Sequence, residues 1–376
     1  MPTPLRLPAD NTLSYLLLTL TAISGEFPTS QVARLPGGAS YKENLLTQMR
    51  RTKLIRTFYR NGLRGLRLTA HAKGLLLERH PERFRPYLTG SAETNVLKSE
   101  VPRRLRLHQM AEVLVTMFNA GLFVFNWEKE AIFKPKILSP VNPVHLPAYY
   151  HSREVKELGQ QAVKIRGSRS TGVLITDGGF FLVYNTGPSL MKWEYTAEMR
   201  MKNLMQTEVC NRRLASRFRN TAIQGIVFGS SMDVLHGLMS DRHNYFILDG
   251  NLAGFHFLTS DHRGEVILQL LCKPGQHAVL DYILCENLSP KQPGWTIEHD
   301  AIDETGAPVL FAYTCDMPRI RRFDTALELQ GQVGTLICFD FQEPILRRVC
   351  GPRVTFQCID FVKFERSVLH PEEGST

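Results

Sequence analysis

Side chains that can hydrogen-bond to bases or phosphates recur between residues 40 and 53. At about 100° per residue, a helix over this segment places Leu45, Leu46 and Met49 on one arc, which must pack against other helices. Asn and Gln can form two hydrogen bonds with adenine, Arg can do so with guanine, and Ser or Thr can bond to several bases. The polar residues of the opposite arc and its flanks are Ser40, Tyr41, Glu43, Asn44, Thr47, Gln48, Arg50 and Arg51.

In helix-turn-helix proteins the early residues of one such helix enter the major groove. The candidate base-contacting residues are therefore Ser40, Tyr41, Asn44, Thr47 and Gln48, and Arg51 is a candidate for either a base or a phosphate. Lys42 faces the core side and would have to extend outward along its alkyl stem to reach a phosphate. The alternative for the whole set is an ordinary solvated helix face.

A two-stranded hairpin is predicted directly after this helix. Leu54–Arg60 is typical of a strand, Asn61-Gly62 of a tight turn, and Leu66–Leu68 of the returning strand. The basic and amide side chains around it suit the phosphate backbone or the minor groove. These candidates are Arg60, Asn61, Arg64 and Arg67. Their alternative role is a charged edge that prevents pairing with other strands.

The order of the elements predicts a winged helix-turn-helix at the N-terminus. An apolar helix over Asn11–Ser24 precedes a short helix over Gln31–Leu35, and the Pro36-Gly37-Gly38 turn leads into the helix over Ser40–Lys53. The predicted domains are 1–88 for this unit, 89–103 for a linker and 104–376 for a mixed α/β domain, either whole or as subdomains 104–240 and 241–376. The predicted class is α+β.

Charge is distributed unevenly along the chain. Residues 1–110 hold 18 Lys and Arg against 7 Asp and Glu, which leaves 27 of the 45 basic and 29 of the 36 acidic residues for the remainder. Such a split points to nucleic acid or an anionic membrane as the partner of the basic half. The basic residues are mostly Arg interleaved with Ser, Thr, Asn, Gln and Tyr, which favours DNA.

Three stretches resemble a known family. The run from Gln31 to Gly38, the Leu-Leu-x-Gln-Met and Leu-Ile-Arg groups that follow, and Gly-Leu-Arg-Gly-Leu-Arg-Leu-Thr at 62–69 are similar to winged-helix replication-relaxation or mobilisation accessory proteins of plasmids and conjugative elements in Gram-positive bacteria. Segments beginning at Tyr149 and Lys164 are similar to companion domains of such elements. The resemblance implies binding to an origin or promoter on a mobile element, with a relaxase or another DNA-processing protein as partner.

The second domain offers weak candidates for catalysis. The order of elements over 153–228 resembles a restriction-endonuclease-like core in a degenerate form. An active member needs an Asp and a Glu-x-Lys to hold Mg²⁺. Asp177 lies in an Asp-Gly-Gly turn, and neither Glu194 nor Glu198 is followed by the lysine. We therefore expect no enzyme activity, no catalytic residue, no metal and no cofactor, with a cluster over 299–304 interpreted as a loop rather than a metal site.

The remaining features predict a cytoplasmic protein without a membrane partner. The apolar run from Leu13 to Ile23 is too short to span a bilayer, which takes roughly 20 residues. The seven cysteines lack a C-x-x-C pair and favour reduced core thiols. The predicted function is sequence-specific binding of double-stranded DNA, without catalysis, as a relaxosome or replication accessory factor or a transcriptional regulator. Self-association is left open. The alternatives are a Mg²⁺-dependent nuclease and an interaction module whose winged helix binds protein.

Overall fold

The structure is a computed structural model that describes residues 6–89, 100–135, 140–159, 167–240, 252–291 and 294–369. It belongs to the α+β class, with helices and three β-sheets in this part of the chain. The chain divides into two units. The first comprises Met1–Asn119 and Val124–Glu128, and the second comprises Ala120–Phe123 and Lys129–Thr376.

The first unit is built around a nearly fully buried helix. The side chain of Thr12 caps its N-terminus by accepting a hydrogen bond from the Tyr15 amide, and Gly25 ends it in a conformation with φ of 83°. The helices of this unit are α1 (Leu13–Ser24), a 3-10 helix (Thr29–Arg34), α2 (Ala39–Arg51), α3 (Ala70–Arg79), α4 (Pro81–Leu88) and α5 (Val101–Asn119).

A three-stranded antiparallel sheet completes the first unit. Its strands are β1 (Phe27–Pro28), β2 (Ile55–Arg60) and β3 (Leu63–Leu68), in the order β1-β3-β2. The predicted turn is confirmed, because Asn61 and Gly62 both have positive φ, 51° and 76°. Thr69 is the N-cap of α3, and its side chain accepts a hydrogen bond from the Ala72 amide.

The predicted domain boundary is wrong at α5. This helix packs against α1, β1 and β3 and belongs to the first unit, whereas the sequence analysis began the second domain at residue 104. Helix α4, whose Phe84 and Tyr87 are buried, ends at Leu88, directly before the predicted start of the linker. Residues 90–99 of the expected linker lie outside the described residues.

The second unit contains two five-stranded mixed sheets. The first has the order β4-β5-β6-β7-β8, antiparallel from β4 to β6 and parallel from β6 to β8. Its strands are β4 (Ala148–His151), β5 (Gly172–Ile175), β6 (Phe180–Gly187), β7 (Ile223–Gly229) and β8 (Phe255–Thr259). The helices that accompany this sheet are α6 (Ser152–Gly159), α7 (Tyr195–Leu204), a π-helix (Met205–Arg213), α8 (Ala215–Phe218) and α9 (Asp233–Ser240).

The second sheet has the order β13-β12-β11-β10-β9, with β11 to β13 parallel. Its strands are β9 (Ser289–Pro290), β10 (Ala301–Ile302), β11 (Pro308–Phe311), β12 (Gly334–Phe339) and β13 (Val354–Ile359). The remaining helices are α10 (His262–Cys272), α11 (Pro274–Leu284), α12 (Met317–Gln330), α13 (Glu343–Val349), α14 (Phe361–Phe364) and a π-helix (Glu365–Leu369). A single unit holds both sheets, not two subdomains.

The apolar runs Tyr245–Leu248 and Val266–Leu271 and the segment near Trp193 have sequences that predict strands. Two of these predictions are wrong. Val266–Leu271 lies within α10, because Asp261 caps a helix start by accepting a hydrogen bond from the Gly264 amide. The segment near Trp193 is not a strand. The strand expected at 245–248 lies outside the described residues. All seven cysteines are free thiols. Within the described ranges, no helix combines the length and apolar composition that a bilayer crossing requires.

Candidate nucleic-acid interface

One face of α2 is polar and open to solvent. Leu45 and Met49 are buried beneath it, as the helical spacing predicts, and Leu46 is half-buried. Tyr41 is 55% exposed, with its ring edge near Gly37 in the turn that precedes the helix. The structure therefore brings six of the predicted contact residues to one exposed surface, and these are Ser40, Tyr41, Asn44, Thr47, Gln48 and Arg51.

Lys42 does not belong to this surface. Its side chain is buried, and its ammonium group donates a hydrogen bond of 2.7 Å to the Ala33 carbonyl. The prediction that Lys42 extends outward to a phosphate is therefore wrong in this structure. A buried ammonium needs a hydrogen-bond acceptor, and the carbonyl at the end of the 3-10 helix supplies one. Lys42 thus joins two helices of the first unit.

The hairpin presents three of its four predicted residues to solvent. Arg60, Asn61 and Arg64 surround the turn and are exposed. Arg67 is the exception, because its side chain is only 4% exposed and its guanidinium donates to Glu26, with 2.8 Å from Nε to Oε2. Its assignment as a DNA contact is wrong for this structure. The alternating pattern of β3 turns Arg67 to the face opposite that of Arg64.

Arg67 is one member of a buried cluster around Glu26. Arg104 of α5 is fully buried and donates to the same carboxylate, with 3.0 Å from Nε to Oε1, and His108 lies 2.8 Å from Oε1. The Arg104 guanidinium also donates to the Arg60 and Leu63 carbonyls, at 2.8 and 3.0 Å. One buried side chain of α5 thereby holds both ends of the hairpin turn.

The cluster keeps Glu26 ionised. Burial by itself raises the pKa of a carboxyl group, but hydrogen bonds from His108, Arg104 and Arg67 outweigh it and hold the pKa of Glu26 at about 2. The guanidinium groups of Arg67 and Arg104 lie over the Phe58 ring, at 3.9 and 4.6 Å from its centre. Gly65 faces the carboxylate so closely that a Cβ there would lie 2.4 Å from Glu26 Oε1.

The other face of the hairpin continues the surface of α2. Arg50 of α2 donates to the Thr57 hydroxyl at 3.0 Å. Tyr59 lies two residues further along the same face, opposite Arg64, and is 69% exposed. Tyr59 is not among the contact residues predicted from the sequence. The two-residue period of β2 could have identified it, because this period places Tyr59 on the same face as Thr57 and Arg64.

Exposed cations collect on α2 and the hairpin. Over residues 39–68 the one acidic residue is Glu43. Within the described part of the chain, none of the exposed cations of this segment has a carboxylate partner. These five residues are Arg51, Lys53, Arg56, Arg60 and Arg64. Lys53 and Arg56 are not among the residues predicted from the sequence. Their positive charge, just before and within the predicted strand, could have identified them as candidates. We call these five residues the basic set.

The nuclease candidates of the second unit are engaged elsewhere. Asp177 pairs with Arg217, and Glu194 lies 3.5 Å from Lys192. Glu198 is buried and accepts hydrogen bonds from the Ser168 hydroxyl at 2.9 Å, the Arg169 amide and the Tyr184 hydroxyl. Residues 166–169 have the sequence Arg-Gly-Ser-Arg, which is typical of a turn that could contact DNA or a partner, and Arg166 lies outside the described residues.

The segment 299–304, predicted to be a loop, contains the strand β10 at its centre. His299 is fully buried and bonds to the Ile297 carbonyl at 2.8 Å, while Asp303 accepts hydrogen bonds from Thr305 and from the Ala307 amide. Asp300 pairs with Arg319 at 2.5 Å. Among the described residues, no group of three or more His, Cys, Asp or Glu side chains is placed to hold a metal ion.

Comparison of the chain with protein-family models, with curated proteins and with solved structures finds no match. The surface of the first unit is therefore the feature that indicates a function.

Proposed function

We propose that this protein binds double-stranded DNA in a sequence-specific manner through its first unit, which acts as a winged helix-turn-helix. The single observation that carries the proposal is the basic set: five exposed cations without carboxylate partners, next to an exposed helix face rich in hydrogen-bonding side chains. Exposed cations of this kind can bind the phosphates of DNA, and polar side chains on an exposed helix face can bind base edges.

In the proposed complex, α2 enters the major groove with its exposed polar face. Asn44 and Gln48 lie one helical turn apart and are the side chains suited to adenine, while Ser40 and Thr47 suit several bases. Tyr41 lies beside the N-terminal end of the same face. The early residues of α2 face the bases, as in other helix-turn-helix proteins.

The hairpin acts as the wing and contacts the backbone. Arg60 and Arg64 flank its turn, and Arg56 lies further along β2, paired with Arg67 and therefore on the face opposite that of Arg64. Arginine binds phosphate oxygens in a two-point geometry and also enters narrow minor grooves, so these residues supply affinity and position. Tyr59 beside Arg64 adds a hydroxyl group that can donate to a phosphate.

The biological setting is a further part of the proposal. The resemblance of residues 31–69 to accessory proteins of plasmids and conjugative elements supports a role in transfer, replication or transcription of such an element. In that setting, a relaxase or another DNA-processing protein is the partner of the bound complex.

The test is binding of the full chain to duplex DNA as a function of salt. Each neutralised phosphate contributes about −0.9 to the slope of log K against log salt, so five contacts give a slope of about −4.5. Affinity then falls about 500-fold from roughly 50 to 200 mM salt. The triple variant Arg51→Gln, Arg60→Gln, Arg64→Gln should retain a slope of about −1.8 and lose only about tenfold over the same range.

A matched variant controls for the loss of three positive charges. Arg219, Lys363 and Arg366 are exposed residues of the second unit, and their replacement by Gln should leave the slope unchanged. Equal effects of the two triple variants would move DNA binding away from α2 and the hairpin. Absence of duplex binding at low salt would favour the alternative in which the first unit binds protein.

A further inference from the structure

The second unit contains a cleft of about 360 Å³ between its two sheets. The starts of β6, β7 and β8 line one side with Phe181, Gln224 and His256. The end of β11 and the start of α12 line another side, and α11 contributes His277 and Asp281. A volume of this size is within the range of sites for small ligands.

Arg319, the single arginine in the described lining of the cleft, is already neutralised. Arg319 pairs with Asp300 at 2.5 Å and with Glu298 at 2.9 Å. Asp300 also accepts a hydrogen bond from the Phe311 amide at 2.7 Å. The charges of Arg319 and Asp300 therefore neutralise each other, and no net positive charge is left to bind an anion.

Two further carboxylates of the cleft have no cationic partner among the described residues. Asp281 accepts a hydrogen bond from the Tyr313 hydroxyl through Oδ1, and Asp316 accepts one of 3.0 Å from the Phe255 amide through Oδ1. In each case Oδ2 keeps its acceptor capacity for a ligand. Both side chains are half-buried, so water screens them less than it screens carboxylates on an open surface.

His256 is buried in the cleft, where the uncharged form of its ring is favoured. Burial lowers the pKa of His256, His277 and Arg319 act in the same direction, and Asp316 opposes them. Its ring lies 3.1 Å from Gln224 Oε1 and 3.3 Å from the Thr314 carbonyl. These groups all belong to the lining of the cleft.

We propose that this cleft binds an organic cation: an alkyl chain that carries an ammonium or guanidinium group, either as a free molecule or as a Lys or Arg side chain of another protein. The two carboxylates attract the positive group. The alkyl part lies against the apolar lining, to which Phe181, Leu270, Leu271 and Phe311 contribute. Clefts lined by one sign of charge concentrate ligands of the opposite sign.

The same charge balance separates this site from the DNA-binding surface. A phosphate in the cleft would face Asp281 and Asp316 without a free cation from the described lining. The proposal therefore concerns a second ligand of the protein and does not depend on DNA binding.

The probe is agmatine, which has a guanidinium group, a four-carbon chain and an ammonium group. Calorimetric titration of the full chain should show saturable binding, and the variant Asp281→Asn, Asp316→Asn should weaken it at least tenfold. Glu304→Gln removes an exposed carboxylate outside the cleft and should leave binding unchanged. Circular dichroism of each variant, matched to the parent, establishes that the fold is retained.

A second titration distinguishes the two sources of the cation. A short peptide with one central arginine, compared with the same peptide carrying citrulline, should bind in preference to agmatine if the ligand is a protein side chain. Either ligand supports the proposal provided that the double Asp variant weakens it. Equal binding of butyramide and agmatine, tighter binding of butyrate, or no binding of either cation would overturn it.

Discussion

Asn44 and Gln48 differ from the hairpin arginines in what they can distinguish. An amide side chain in the major groove forms two hydrogen bonds with adenine and leaves its polar atoms unpaired on other bases. A guanidinium group on a phosphate meets the same oxygens at every sequence. The two kinds of residue should therefore fail in different ways.

We predict that Asn44→Ala or Gln48→Ala costs about 1–3 kcal/mol on the preferred duplex and little on random DNA. The preferred duplex is first selected from a randomised pool with the parent protein. Arg64→Ala should weaken binding to both duplexes by similar factors and flatten the salt slope by about 1. Fluorescence anisotropy with both duplexes measures these effects. If Asn44→Ala and Arg64→Ala reduce affinity equally on both duplexes, α2 does not read the sequence.

The sequence identified most of the exposed residues of α2 and the hairpin correctly, but it wrongly included Lys42 and Arg67. Helical spacing placed Asn44, Thr47 and Gln48 on an exposed arc, because three apolar residues define the opposite arc. Lys42 and Arg67 were assigned from their charge, although helical spacing turns Lys42 to the core side and strand alternation turns Arg67 away from Arg64. Their acceptors, the Ala33 carbonyl and the Glu26 carboxylate, could not be identified from the local sequence.

At the scale of elements, the cluster around Glu26 determines where the hairpin lies. Glu26 precedes β1, Arg67 belongs to β3, and Arg104 and His108 belong to α5. Removing the negative charge leaves two buried guanidinium groups uncompensated, and breaking a buried pair in this way costs about 3–5 kcal/mol. The hairpin should then lose its fixed position.

We predict that Glu26→Gln lowers the free energy of unfolding of the first unit by about 3–5 kcal/mol at neutral pH. The pKa of Glu26 in the folded protein is depressed to about 2 from a usual 4.5, so its contribution is complete above about 4.5 and is lost as the pH falls towards 2. The difference between parent and variant should therefore shrink over that range. Urea unfolding at several pH values, followed by circular dichroism, measures it.

Glu78→Gln is the matched control, since Glu78 is an exposed residue of α3 and its replacement should change stability by less than about 0.5 kcal/mol. Hydrogen exchange over residues 55–68 adds a local measurement, because faster exchange is expected there in Glu26→Gln. A constant difference between parent and Glu26→Gln from neutral pH to pH 3 would contradict the assigned pKa.

Local signals predicted elements well where capping and turn residues were present. Asn61-Gly62 marked the hairpin turn, which the structure contains, and Thr69 is a residue type that favours a helix start and caps α3. Val266–Leu271 shows the limit of the method, because a short apolar run suits a buried strand and a buried helix equally. The Asp261 cap, five residues upstream, decided between them.

At the scale of the whole molecule, α5 decides where the first unit ends. Leu107, Met110, Leu114 and Met117 are buried on it. At about 1.5–3 kcal/mol for each such side chain, their loss would remove about 6–12 kcal/mol, comparable to the entire stability of a domain, about 5–15 kcal/mol. The sequence analysis assigned this helix to the second domain because helix patterns show which face is buried but not against which partner.

We predict that a fragment of residues 1–128 folds and binds DNA, whereas a fragment of residues 1–90 does not fold. The longer fragment contains one tryptophan, Trp127, whose ring stacks on Phe125 at 4.9 Å and lies 6.0 Å from Phe84, so its fluorescence reports folding of the unit. It should unfold cooperatively in urea and reproduce the salt slope of the full chain.

The shorter fragment lacks Arg104 and His108, which leaves Glu26 with Arg67 alone, and it should show no cooperative transition by circular dichroism. The substitution Arg104→Met in the longer fragment links the two results, because it keeps the helix and removes the charge, and it should lower stability without abolishing folding. Cooperative unfolding and equal DNA affinity of residues 1–90 would place α5 outside the folding unit.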